Sequence, residues 1–290
     1  MNRWPSPLRY PGGKAVLADY LSRLIDCNRI ERCIYAEPYA GGAGAAVKLL
    51  LGGKVDRLLL NDADPSIWAF WRSVTNRSEA FIERLERTDV TIDSWKRQRA
   101  IYLAPKAHTA LELGFAAFFL NRCNRSGVIK NAGVIGGLEQ DGEWKINARF
   151  NKPGQIGRIR EIAERADAIE VTNLDAIAFT RQRILRVSDR SRFLVYLDPP
   201  YFEKGSRLYL NYYRPGDHAL LANHLKRVRR LKWLVSYDNA PEIRSLYSGW
   251  CHTIDFNLRY SAHSARVGSE ILIFSDELER PGNRVELRSA

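Results

Sequence analysis

Short apolar, β-prone runs recur at residues 33–36, 57–60, 168–171, 193–197 and 233–236, each ending in turn-forming or acidic residues. Continuous apolar strands, rather than alternating ones, indicate a sheet covered on both faces. Helical patterns fall between several of them, at 45–51 and 218–230, and another is expected over 15–24. Strands alternating with helices predict a Rossmann-like α/β fold with about seven, mainly parallel, strands. Two further runs, 254–258 and 270–274, are expected to close the sheet as an antiparallel pair.

The middle of the chain has a different rhythm. Helical patterns at 67–76, 78–87, 92–102 and 111–121 lead into a Gly- and Asn-rich stretch ending at residue 150. Within it, Val128-Ile129 and Trp144-Lys145-Ile146 flank turn-rich sequence and predict a hairpin near 128–150. The pattern therefore gives a sheet domain from 1–65 and 166–290, interrupted by a mostly helical insertion over 66–165.

Composition adds one thing to this picture. The 290 residues are 45% hydrophobic and 27% charged, as in ordinary globular chains, but 45 Lys+Arg face 33 Asp+Glu, for a net charge of +12. No apolar run approaches the ~20 residues of a membrane span, and the first ten residues are too polar for a signal peptide, so a cytoplasmic protein is expected. The charge is uneven: 17 basic and 13 acidic residues in 1–120, 22 and 12 in 121–232, and 6 and 8 in 233–290. Arg outnumbers Lys by 34 to 11, and Arg suits bidentate contact with phosphate or guanine. Nucleic acid is the partner this suggests, with a solvated basic surface as the plain alternative. Cys27, Cys33, Cys123 and Cys251 show neither CxxC pairing nor a nearby His at ligand spacing, which predicts ordinary thiols and no metal site.

Two segments carry chemistry. Glu37-Pro38-Tyr39-Ala40-Gly41-Gly42-Ala43-Gly44 follows a predicted strand and opens a helix, and its glycines permit a tight turn and close approach of a ligand. Asp62, at the end of the next strand, is placed to accept hydrogen bonds from ribose hydroxyls. Together they describe a pocket for an adenosine-type cofactor. Gly12-Gly13-Lys14 is no phosphate loop, because no Gly stands five residues before Gly13 and Ala15 replaces the Ser/Thr. The sharper segment is Asp198-Pro199-Pro200-Tyr201. It puts a carboxylate, acceptor carbonyls without neighbouring N–H groups, and an aromatic face at the end of a strand, a set able to hold an exocyclic amino group and its base.

The order Arg9-Tyr10-Pro11-Gly12-Gly13-Lys14, Glu37-Pro38-Tyr39, Asn61-Asp62 and Asp198-Pro199-Pro200-Tyr201 resembles the Dam-type DNA adenine-N6 methyltransferases. Phe118-Phe119-Leu120-Asn121-Arg122 and Ser236-Tyr237-Asp238-Asn239 extend the resemblance over nearly the whole chain. It implies S-adenosyl-L-methionine as cofactor, held by Tyr10, Lys14, Glu37, Tyr39, Gly41, Gly44 and Asp62, with Asp175 at the pocket edge and Asp198 close by. It implies that Asp198, Pro199, Pro200 and Tyr201 are catalytic, acting on an adenine flipped out of duplex DNA. The insertion is then the target-recognition domain, with Arg122, Asn124, Arg125, Lys130, Lys145, Arg149 and Lys152 toward DNA, bound by a monomer or weak dimer. After Asn121-Arg122 the sequence departs from the family pattern, so the target sequence does not carry over. N4 of cytosine, an RNA or protein amide, and an inactive DNA-binding regulator stay open as alternatives.

Overall fold

The computed structural model describes residues 5–9, 14–203, 213–260 and 266–282. Its strands are β1 (Ile34–Glu37), β2 (Arg57–Asn61), β3 (Ile169–Thr172), β4 (Phe193–Leu197), β5 (Lys232–Asp238), β6 (His252–Tyr260) and β7 (Arg266–Phe274). They form one seven-stranded sheet in the order β3-β2-β1-β4-β5-β7-β6. The first five are parallel; β7 runs antiparallel to both β5 and β6. The Rossmann-like sheet and its antiparallel closing pair are thus as the apolar runs predict.

Period-2 geometry explains why those runs are continuous. Along β1 and β4, Tyr35, Leu194 and Tyr196 enter one apolar layer, while Ala36, Phe193, Val195 and Leu197 enter the other. Both layers are covered by helices, so neither side of a strand is polar. A 3-10 turn (Lys14–Leu17) leads into α1 (Ala18–Cys27), which shares the first layer with α2 (Gly44–Leu51).

The inserted helices continue that same layer. They are α3 (Pro65–Asn76), α4 (Ser78–Arg87), α5 (Ile92–Leu103), α6 (Ala110–Cys123) and α7 (Lys152–Ala163). Local signals set their starts: Asp64 accepts from the Ser66 amide, Thr91 from Ser94, and Thr109 and Glu112 close a capping box. Phe70, Phe81, Phe115, Phe118 and Phe150 pack ring on ring at centroid distances of 5.5–6.2 Å. This aromatic cluster is continuous with Leu58 and Leu60 of β2. The second layer is closed by α8 (Ala176–Phe179) with the π turn that follows it, by α9 (Pro215–Arg227) and by α10 (Pro241–Tyr247).

The expected hairpin at 128–150 does not form. Val128-Ile129 and Trp144–Ile146 do not pair, and the segment contains a lone bridge between Asn124 and Val134. Asn131, Gln140, Gly136 and Gly137 all adopt positive φ, which breaks extension before a ladder can build. Gln140 organises the turns instead: its amide donates to the Ile135 and Gly137 carbonyls and accepts from the Ile146 amide. Among the described residues no helix is long and apolar enough to cross a membrane.

The crossing of α3 and α6 leaves no space at Gly114, where an added Cβ would lie 2.5 Å from the Ala69 carbonyl oxygen. Gly114→Ala is therefore expected to destabilise the protein by about 1–3 kcal/mol, read as a lower midpoint in urea unfolding.

Candidate active site

The carboxyl ends of the parallel strands converge on one edge, and the order of connection reverses between β1 and β4. Open α/β sheets bind ligands at such a switch point. Glu37 ends β1, Asn61-Asp62 ends β2, Asp175 follows β3, and Asp198 through Tyr201 follow β4.

The Glu37–Gly44 turn is built for close approach. Gly41 and Ala43 have φ of 44° and 43°, and a Cβ on Gly44 would meet that of Ala15 at 3.1 Å. Asn61 is buried and ties three segments together: it donates to the Pro38 and Leu174 carbonyls and accepts from the Leu174 amide and the Thr172 hydroxyl. Asp62 accepts from the Gly41 amide at 2.8 Å and from the Asp64 amide at 2.9 Å. Trp71, on α3, donates its indole N–H to the Gly41 carbonyl.

Glu37 is buried and accepts from the Tyr35 hydroxyl at 3.0 Å. Burial pushes its carboxyl up to about 8, despite that hydrogen bond, and the nearby Asp198 adds to the rise. Asp62 is likewise raised by burial, with Asp64 adding, to about 7. No described cation is ion-paired with either carboxylate. A buried and a half-buried carboxylate, neither with a described cationic partner, form a site that favours a ligand carrying positive charge and hydroxyl donors.

Asp198 Oδ1 accepts from the Ser236 hydroxyl of β5 at 2.6 Å, and that serine also bonds the Tyr196 hydroxyl at 2.8 Å. Oδ2 accepts no hydrogen bond from the described residues, and the side chain is 23% exposed. Among the described residues, one oxygen is therefore anchored and the other has no donor. Pro199, Pro200 and Tyr201 are buried. The loop after Tyr201 is held by Asp238, whose two carboxylate oxygens accept from the Phe202 and Glu203 amides, each at 2.9 Å.

Of the other expected cofactor residues, Tyr10 lies outside the described residues. Lys14 is buried beside Tyr201, its Nζ 3.7 Å from Asp198 Oδ1. Tyr39 bonds the Tyr213 hydroxyl at 2.6 Å, and Asp175 caps α8 by accepting from the Ile177 and Ala178 amides. Among the residues expected to face DNA, Arg125, Lys145 and Arg149 are exposed, and Lys130 and Lys152 are half-buried. Two are placed otherwise. Arg122 is buried and donates to the Arg149 and Pro7 carbonyls, while Asn124 is buried and donates to Val128 and Ile129 carbonyls and accepts from the Trp95 indole. Both groups are used up inside the protein, where they pin the N-terminal segment and the turn after α6.

Sequence reasoning singled out neither Ser236 as a partner of Asp198 nor Glu270. The latter is buried on β7, opposite Asp238, with Lys14 and Tyr201 as partners. Its sequence signal is slight, one acid at the head of the apolar run 271–274.

Glu37 and Asp62 bind their protons more tightly folded than unfolded, so unfolding releases protons and stability falls as pH rises. Urea midpoints of the ligand-free protein are expected to fall between about pH 5 and about pH 8, the range bracketed by the ordinary and raised values of Glu37. Glu37→Gln, neutral and similar in shape, is expected to flatten that fall.

Among curated proteins, none matches the chain. Of solved structures, it is similar to the rRNA methyltransferase aviRa from Streptomyces viridochromogenes, at 12% identity and a TM-score of 0.33, over 89% of this chain and 84% of that one. The family model of the D12 class N6 adenine-specific DNA methyltransferases matches residues 10–130 and 138–262, which takes in the β1 turn, Asp62, the Asp198–Tyr201 loop and β5. That match covers most of the chain, and the protein belongs to the D12 class N6 adenine-specific DNA methyltransferase family.

Proposed function

We propose that this adenine-specific DNA methyltransferase transfers a methyl group from S-adenosyl-L-methionine to N6 of an adenine rotated out of duplex DNA. The observation that carries the reading is Asp198. It stands at the switch point with one oxygen fixed by Ser236 and the other without a donor among the described residues, next to the carboxylate-lined turn of β1.

The residues fit the cofactor. Asp62 offers carboxylate oxygens to ribose hydroxyls, Glu37 meets the cationic part, and Gly41 and Gly44 let the backbone come close. Tyr39 and Asp175 border the same edge. When bound, S-adenosyl-L-methionine supplies a methyl group already activated on a sulfonium. The work left to the chain is positioning: Asp198 Oδ2 and the Pro199 carbonyl accept from the two N6 hydrogens, so the nitrogen lone pair points at the methyl group. With the cofactor bound, Asp198 would hold N6 for attack on that methyl group, and its Oδ2 would be the acceptor for the proton that N6 must then lose.

An adenine stacked in a duplex cannot reach this edge, and rotating it out costs a few kcal/mol. Stacking against an aromatic face returns about 1–3 kcal/mol, and Tyr201 is the ring beside Asp198. The helical insertion over 66–165 is read as the target-recognition part, with exposed Arg125, Lys145 and Arg149 toward phosphates or base edges. Arg149 lies over the Trp144 ring, 5.9 Å from its centre, and so presents its charge at the surface of the turn-rich segment.

Asp198→Ala is expected to abolish methyl transfer, measured with radiolabelled S-adenosyl-L-methionine and unmethylated genomic DNA, while gel retardation stays largely intact. Normal turnover by that variant would sink the assignment. Affinity for DNA is expected to fall steeply with salt, with a log–log slope of about −0.9 per phosphate neutralised. A flat response would remove the basic segment from the interface.

A further inference from the structure

Lys14 sits between two carboxylates that differ in what they are needed for. Its Nζ lies 2.7 Å and 3.0 Å from the two oxygens of Glu270, but 3.7 Å from Asp198 Oδ1. It also donates to the Tyr201 hydroxyl, which in turn donates to Glu270 Oε1, each at 2.5 Å. Lys14 is 6% exposed and Glu270 1%, so water does little to screen this triangle. Glu270 reaches it because β7 runs antiparallel, which brings the early part of that strand to the carboxyl edge of the parallel ones.

The chemistry needs Asp198 as an acceptor. A lysine ammonium closed onto Asp198 would compete directly with the N6 amino group for its oxygens. We propose that Glu270 is a positioning residue for methyl transfer: it draws the Lys14 ammonium away from Asp198 and fixes the Tyr201 hydroxyl, leaving Asp198 Oδ2 open to the adenine amino group. This rests on the function proposed above and adds a residue to it. Glu270 touches no reacting atom and acts through Lys14 and Tyr201.

The electrostatics around Asp198 agree with that division. It is faced by Glu37 from β1, Tyr196 from its own strand, Ser236 and Tyr237 from β5, and Lys14 from the N-terminal turn. Glu270 faces it from β7. Burial raises the Asp198 carboxyl and the Lys14 ammonium lowers it. Loss of the Glu270 charge leaves that ammonium to Asp198 alone, which lowers Asp198 further.

The test compares wild-type protein, Glu270→Gln and Glu270→Asp, at saturating S-adenosyl-L-methionine and unmethylated genomic DNA. For Glu270→Gln, kcat is expected to fall roughly 10- to 100-fold. Cofactor affinity by calorimetry should stay close to wild type, which also shows that the variant is folded, and the acid limb of the kcat–pH profile should move to lower pH. Glu270→Asp keeps the charge that holds the Lys14 ammonium and should transfer faster than Glu270→Gln, with its acid limb back toward the wild-type position. Unchanged kcat in Glu270→Gln, an acid limb that stays in place, or Glu270→Asp no faster than Glu270→Gln would each overturn the proposal. Absence of adenine methylation by the wild-type protein would instead overturn the function on which it rests.

Discussion

The parallel pairing of β1 with β4 is the contact on which the rest of the site depends. Ile34, Tyr35 and Ala36 lie beside Phe193, Leu194 and Val195, and the chain between them makes all of β2, β3 and the inserted helices. Connections leave this pair in opposite directions, toward β2 on one side and β5 on the other. The crevice that opens above it is where two turns of unrelated sequence, one Gly-rich and one Pro-rich, come to face each other. Without that register, Glu37 and Asp198 would not feel each other's charge.

A second constraint follows from the first. Both faces of the sheet are apolar, so the sheet's own buried polar side chains, Glu37, Asn61, Ser236, Asp238 and Glu270, gather toward its carboxyl edge, and each must find a partner there. Asn61 and Ser236 do so by donating to a backbone carbonyl and to Asp198, and Asp62 and Asp238 by accepting from backbone amides. Glu37 and Asp62 are raised chiefly by burial, with a neighbouring carboxylate adding in each case and no described cation offsetting it. The same edge therefore carries both the binding capacity and part of the cost of folding.

Much of this was legible in the sequence, for reasons that are local. The strands read correctly because an apolar run between turn residues has few other uses, and α5 and α6 because their caps stand next to their periodicity. Asp198-Pro199-Pro200-Tyr201 was legible because four unusual residues are adjacent. The inner hairpin was not: the two apolar segments flanking turn-rich sequence that suggested it are outweighed by positive φ at Gln140, Gly136 and Gly137, where one glutamine side chain bonds the backbone. Arg122 and Asn124 read as surface polar groups because nothing nearby in the chain shows that Pro7 and Trp95 fold over to meet them. Glu270 was hidden for a like reason. Its partners Lys14 and Tyr201 are remote in sequence, and an acid heading an apolar strand looks like a solvated edge.

The indole of Trp71 bonded to the Gly41 carbonyl bears on how the protein can be divided. Trp71 belongs to α3, the first inserted helix, yet it holds the turn that lines the sheet's carboxyl edge. Modularity in this chain therefore does not follow the outline of the insertion. Excising α3 through α7 would strip a support from the cofactor turn as well as half of a shared core. The part of the insertion that supports nothing at the sheet's edge is far smaller: the surface turns between buried Val134 and Ile146, which carry the exposed Leu138 and Trp144. On the function proposed above, a graft within those limits is the one that changes the surface facing DNA while leaving the supports of the β1 turn in place.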